Sequence, residues 1–155
     1  MEIPKPGPDH ERLAVLAGRW VGAETMHPSP WDPAGGEAEG RVDNRVALDG
    51  FVVIQEYEQW RDGRRTFAGH GVFWWDAERR NVVLDWHDSM GMPPNRFVGA
   101  FDGDTLRLSS SSPMGTSRTT FEFTGDGRYT FRMEMAADGA AWTPMLDAEY
   151  RRAPD

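Results

Sequence analysis

The chain has 155 residues, a formal net charge of −8 and a pI near 5.0. That acidity argues against nucleic-acid backbones and anionic membranes as partners, because both select basic patches. Cysteine is absent, which excludes disulfides, thiolate metal sites and cysteine nucleophiles.

The length suits one domain. No apolar run approaches the roughly 18 residues of a membrane helix, and the N-terminus lacks the apolar stretch of a signal peptide. The expected location is therefore cytoplasmic.

Residues 1–8 carry Pro4, Pro6 and Pro8 and read as an extended arm, followed by one β-domain over 9–152. Asp9 is the expected N-cap of a short helix with Leu13, Leu16 and Ala17 on one face and Gly18 closing it. Such a helix is too short to stand alone and is expected to plug one end of a sheet. Strands are then expected over 19–27, 39–48, 51–60, 65–75, 81–88, 96–101, 105–111, 117–124, 128–135 and 142–151. Turns fall at Asp49-Gly50, Asp62-Gly63, Asp102-Gly103, Gly125-Asp126-Gly127 and Asp138-Gly139. Two loops break this rhythm: Pro28-Ser29-Pro30-Trp31-Asp32-Pro33, where prolines cannot join a ladder, and Ser89-Met90-Gly91-Met92-Pro93-Pro94.

The later strands alternate. Tyr129, Phe131, Met133 and Met135 oppose Thr130, Arg132 and Glu134, and Trp142, Leu146, Ala148 and Tyr150 oppose Thr143, Asp147, Glu149 and Arg151. Period-two patterning gives one dry and one wet face. Between them, Phe67, Phe73 and Trp75 oppose Val72 and Trp74, so both faces of that strand carry bulk: either its outer face is covered, as by a partner subunit, or its register differs from strict alternation. These features predict an all-β fold: an up-and-down antiparallel, calycin-like barrel of about ten strands with a short N-terminal helix.

The segment Gly18-Arg19-Trp20 resembles the Gly-x-Trp opening of calycin-type barrels, which include lipocalins, fatty-acid-binding proteins and nitrobindin-like haem barrels. Four further segments, Met26-His27-Pro28-Ser29-Pro30-Trp31, Val46-Ala47-Leu48-Asp49-Gly50-Phe51, Gly69-His70-Gly71-Val72-Phe73 and Asp88-Ser89-Met90-Gly91-Met92-Pro93, make the chain resemble the bacterial domain-of-unknown-function family 1579. The resemblance implies a lipocalin-like barrel and no established activity. Nitrobindin-like proteins hold haem through a His late in the chain. Here no His follows His87, so a haem would need His70 or Met90, and no cofactor is expected.

The first functional expectation is a container for a small apolar or aromatic metabolite. Tyr57, His70 and Trp86 would line it, Gln55 or Asp88 would orient the ligand, and Met26, His27, Trp31, Met90 and Met92 would form its mouth. Glu24, Arg118 and Arg132 are further polar candidates for the interior. A second expectation is an enzyme using His70 and Asp88 as an acid–base pair on a carbonyl-bearing substrate. A third is an interaction module, a homodimer whose interior is packed shut. His27, His70 and His87 have metal-ligand chemistry, but no pair has helical two-His spacing, so no metal is expected.

Overall fold

The computed structural model describes residues 1–30, 32–113, 115–137 and 141–154. Ten strands follow one short helical segment: β1 (Gly18–Met26), β2 (Gly36–Ala47), β3 (Val52–Arg61), β4 (Arg64–Asp76), β5 (Asn81–Asp88), β6 (Asn95–Asp102), β7 (Thr105–Ser112), β8 (Gly115–Phe123), β9 (Arg128–Ala136) and β10 (Thr143–Arg152). Every strand pairs antiparallel with its chain neighbours, and β1 pairs with β10, so the sheet closes on itself. Closure leaves no unpaired edge to manage. The expected barrel is the observed one.

The tight turns are built as their residues require. At Asp62-Gly63 both residues have positive φ (51° and 74°), the conformation that two-residue hairpins demand and Asp-Gly tolerates. The Asp138-Gly139 turn and Trp31 lie outside the described residues.

The helix α1 (Pro8–Arg12) starts two residues earlier than expected. Gly7, not Asp9, is the N-cap, because Pro8 supplies a φ already suited to the first helical position. The Gly7 N–H donates to His10 Nδ1 at 3.0 Å. A 3-10 turn, Leu13–Leu16, continues the helix and buries Leu13 and Leu16 beneath one end of the barrel. Its terminal carbonyl is satisfied from the strands: the Trp20 indole and the Asn44 amide both donate to Leu16 O, at 3.0 and 2.9 Å. This is the physical role of the Gly-x-Trp opening. The core at this closed end includes Trp20, Val42, Val53, Phe73, Leu106, Phe121, Phe123 and Tyr129.

The bulk on both faces of β4 is resolved within the chain. Phe73 points inward and is fully buried. Trp74 points outward, where its indole donates to Asp85 Oδ2 at 2.9 Å and the Arg96 guanidinium lies 5.5 Å over its ring. In β10 a bulge between Pro144 and Leu146 resets the alternation. Trp142 therefore leaves the face of Leu146, Ala148 and Tyr150, and the outward Arg118 stacks on its ring at 4.1 Å.

Candidate functional site

Strand parity divides the candidate residues. In β4, Gly69, Gly71 and Phe73 are buried on the inner face, which sends His70 outward. There it bonds Glu56 Oε1 through Nδ1 at 2.5 Å and lies directly opposite His87 of β5. Asp88 is on the inward register of β5 with Trp86 and Leu84. His70 and Asp88 thus occupy opposite faces of the wall. This corrects three expectations: His70 does not line the interior, does not form an acid–base pair with Asp88, and is not placed to ligate a haem inside the barrel. Arg118 and Arg132 also point outward, paired with Glu134 and Asp147 at 3.1 and 2.7 Å.

What converges inside is a carboxylate and its donors. Glu24, on the inner face of β1, is 1% exposed. The Tyr57 hydroxyl donates to both its oxygens at 2.8 Å, Gln59 Nε2 donates at 3.1 Å, and the Tyr150 hydroxyl donates to Oε2. A carboxylate is acceptor-only, and this complement of neutral donors satisfies it without a counter-cation. Burial first, and then the Glu24 charge, push the hydroxyls of Tyr57, Tyr129 and Tyr150 well above the ordinary tyrosine range. At neutral pH all three remain donors.

Glycine makes room for the rings. Gly22 lies opposite both Gly40 and Tyr150 across the strand pairs. A Cβ at Gly22 would meet the Tyr150 ring, and one at Gly40 would meet its hydroxyl and Glu24. On the other wall the Trp86 indole lies across Gly69 and Gly71: a Cβ at Gly69 would collide with it, and one at Gly71 would meet the Leu84 side chain first and press on the indole. Inward glycines under aromatic rings were the signal in the Gly69-His70-Gly71 segment, and they also forced His70 outward.

The plug closes one end of the barrel, and toward the other end Met26, Tyr57, Phe67, Trp86 and Met133 are inward-facing and only half-buried. The rings of Phe67 and Trp86 flank Tyr57, with centroids 6.0 and 6.3 Å from its own. Trp86 Nε1 donates to Asp88 Oδ2 at 2.9 Å, and Asp88 Oδ1 accepts from the Met90 backbone N–H at 3.0 Å. Gln55 lies deeper, 7% exposed, opposite Asn44 and Gly71. Polar groups complete the lining on the far wall. Ser110 donates to Asn95 Oδ1 at 2.6 Å, and Thr119 Oγ1 is buried without a partner.

At the rim, Met90 and Met92 are exposed. His27 turns to the outer wall, where Nε2 meets Asp147 Oδ2 at 2.7 Å. Among the described residues no cluster of three or more His, Asp or Glu could hold a metal. A shallow outer depression of about 710 Å³ lies over β1 and β7–β10; of the three arginines that line it, Arg118 and Arg132 are held in the two ion pairs above and Arg107 is the third.

Comparison with protein families matches residues 5–152 to the family described as "Protein of unknown function (DUF1579)". The chain belongs to this family. Comparison with curated proteins returns no match. Among solved structures, the DUF1579 chain is similar to the crystal structure of Rv2717c from M. tuberculosis, at 17% identity and a TM-score of 0.71, over 96% of this chain and 99% of that one. At that identity the likeness supports the barrel fold alone. A crystal structure from Thermobifida fusca YX aligns over 99% of this chain and 89% of its own at 8% identity, but with a TM-score of 0.27 it bears on nothing.

Proposed function

We propose that this DUF1579 barrel binds a small molecule with an aromatic or apolar body in the open half of its interior. The observation that carries the reading is the half-buried state of Tyr57, Phe67 and Trp86. They point into a barrel plugged at the far end, and on this proposal their accessible surface forms the wall of a site entered past Met26 and the Met90–Met92 loop. Such sites combine an apolar wall with a few fixed polar groups, and Glu24, Gln59, Thr119 and Asp88 supply these here. Sulfur-bearing side chains at the rim adapt to ligands of varied shape. The tyrosines cluster around Glu24 as a fixed donor–acceptor set rather than as a nucleophile with a base, which favours binding over turnover.

The test is ¹H–¹⁵N NMR during titration with a neutral apolar fluorophore, N-phenyl-1-naphthylamine. Saturable shifts at the Trp86 indole and the Gly69 and Gly71 amides, with Arg118 and Arg132 unmoved, support an interior site. Shifts confined to the outer wall, or none, would overturn it.

A further inference from the structure

Both aromatic side chains at the centre of the interior wall give their polar hydrogen to an acidic residue. The Tyr57 hydroxyl donates to Glu24 at 2.8 Å and the Trp86 indole donates to Asp88 at 2.9 Å, while their ring centroids stand 6.3 Å apart. We propose that the interior site takes an organic cation, an ammonium carried on an aromatic or apolar body, seated against the faces of Tyr57, Trp86 and Phe67. This rests on the interior-binding reading above and deepens it by naming the charge of the ligand.

Three arguments point the same way. Donation to a carboxylate draws electron density toward the ring, which strengthens the negative face that attracts a cation. Two acidic residues, Glu24 and Asp88, back the same wall, and neutral donors satisfy their lone pairs without cancelling their charge. In a partly desolvated space a carboxylate is screened less than it is in open water. Finally, the basic side chain on the inward register at this end, Arg61, sits at the rim and is bonded to Asp32 Oδ2 at 2.7 Å. The aromatic wall itself therefore lacks a cation among the described residues. The Arg61 Nε–H is buried without a partner, which makes a carboxylate-bearing ligand the rival to be separated.

Three probes matched in ring and chain length separate these charges: phenethylammonium, 2-phenylethanol and 3-phenylpropanoate, titrated into the full chain by isothermal calorimetry at pH 7. The ammonium is expected to bind about tenfold tighter than the alcohol and the carboxylate. Asp88→Asn, which sets its new amide N–H group against either the Trp86 indole or the Met90 N–H and is therefore checked for folding by circular dichroism, is expected to lower ammonium affinity about fivefold and leave the alcohol within about twofold. Glu24→Gln, checked for folding by circular dichroism, is expected to act in the same direction.

Equal binding of all three probes, or preference for the carboxylate, overturns the charge assignment and leaves interior binding standing. Unchanged selectivity in Asp88→Asn also overturns it. Absence of binding by every probe overturns it as well, and the fluorophore titration then decides separately whether the interior binds anything.

Discussion

Glu24 and Tyr150 meet across the seam that closes the barrel. Glu24 is on β1 and Tyr150 on β10, and the hydroxyl of one donates to the carboxylate of the other beneath the paired glycines Gly22 and Gly40. The first and last strands are thus joined by their ladder and by a buried side-chain bond. Tyr150→Phe removes one donor from a carboxylate without access to water. It is expected to lower unfolding free energy by about 1–3 kcal/mol, read from urea denaturation. An unchanged midpoint would show that the remaining donors suffice.

Gly40→Ala tests the same seam from the backbone side. The new methyl would occupy the space of the Tyr150 hydroxyl and the Glu24 carboxylate. Overpacking of this kind costs about 1–3 kcal/mol. The corresponding change on the opposite wall, Gly69→Ala, is expected to displace the Trp86 indole and break its bond to Asp88, seen as a large shift of the Trp86 Nε1–H resonance.

The chain has three tyrosines, and all three have hydroxyls held well above the ordinary tyrosine range, by burial and by Glu24. Ultraviolet titration should therefore show little tyrosinate near pH 10–11, followed by cooperative release as the barrel unfolds. The linkage sign follows directly. The unfolded chain loses these protons first, so the stabilisation is present below pH 10 and declines as pH rises above it. A gradual, unperturbed titration in the folded protein would contradict the buried cluster.

On the acid side the groups are on the outer wall. A hydrogen bond from Arg132, helped by His27, holds the Asp147 carboxyl below the usual carboxylate range. Burial alone would raise Asp85, but hydrogen bonds from Arg96 and Trp74 outweigh it and lower that group too. Depressed carboxylates stabilise the fold above their unfolded value and lose that contribution as pH falls through the lower folded value. Stability should fall below about pH 4, and Asp147→Asn should flatten that part of the pH profile.

His70→Ala removes an exposed side chain paired with Glu56 on the outer face. Surface ion pairs of this type contribute about 0–1 kcal/mol. The variant should fold normally and keep the Trp86 and Tyr57 resonances unchanged. Perturbation of the interior signals would contradict the outward register of β4.

How legible the site was depended on what each signal measured. Trp86, Tyr57 and Gln55 are readable as interior because bulky or amphipathic residues fall on the dry register of their strands. For His70 histidine chemistry suggests an interior role, while parity opposes it: the glycines on either side mark the inner face and leave the imidazole outside. Glu24 stood out only as a polar residue on an apolar register. Its partners Tyr57, Gln59 and Tyr150 lie 33, 35 and 126 residues away, and no local pattern connects them.

The sequence by itself determined the architecture. Hairpin turns set strand lengths, alternation set which residues face in, and a Trp-led first strand marked the plugged end. These are short-range properties of the backbone, written within a few residues of where they act. Only the tertiary structure decided the content of the interior. Closing β1 onto β10 brings Glu24 to Tyr150, and barrel curvature brings Tyr57 to Trp86 and Phe67. The bulge at Pro144–Leu146 reverses one register, which alternation alone carries straight through. Long-range contacts of this kind follow from how the closed sheet staggers its strands, a property of all ten strands together and of none alone.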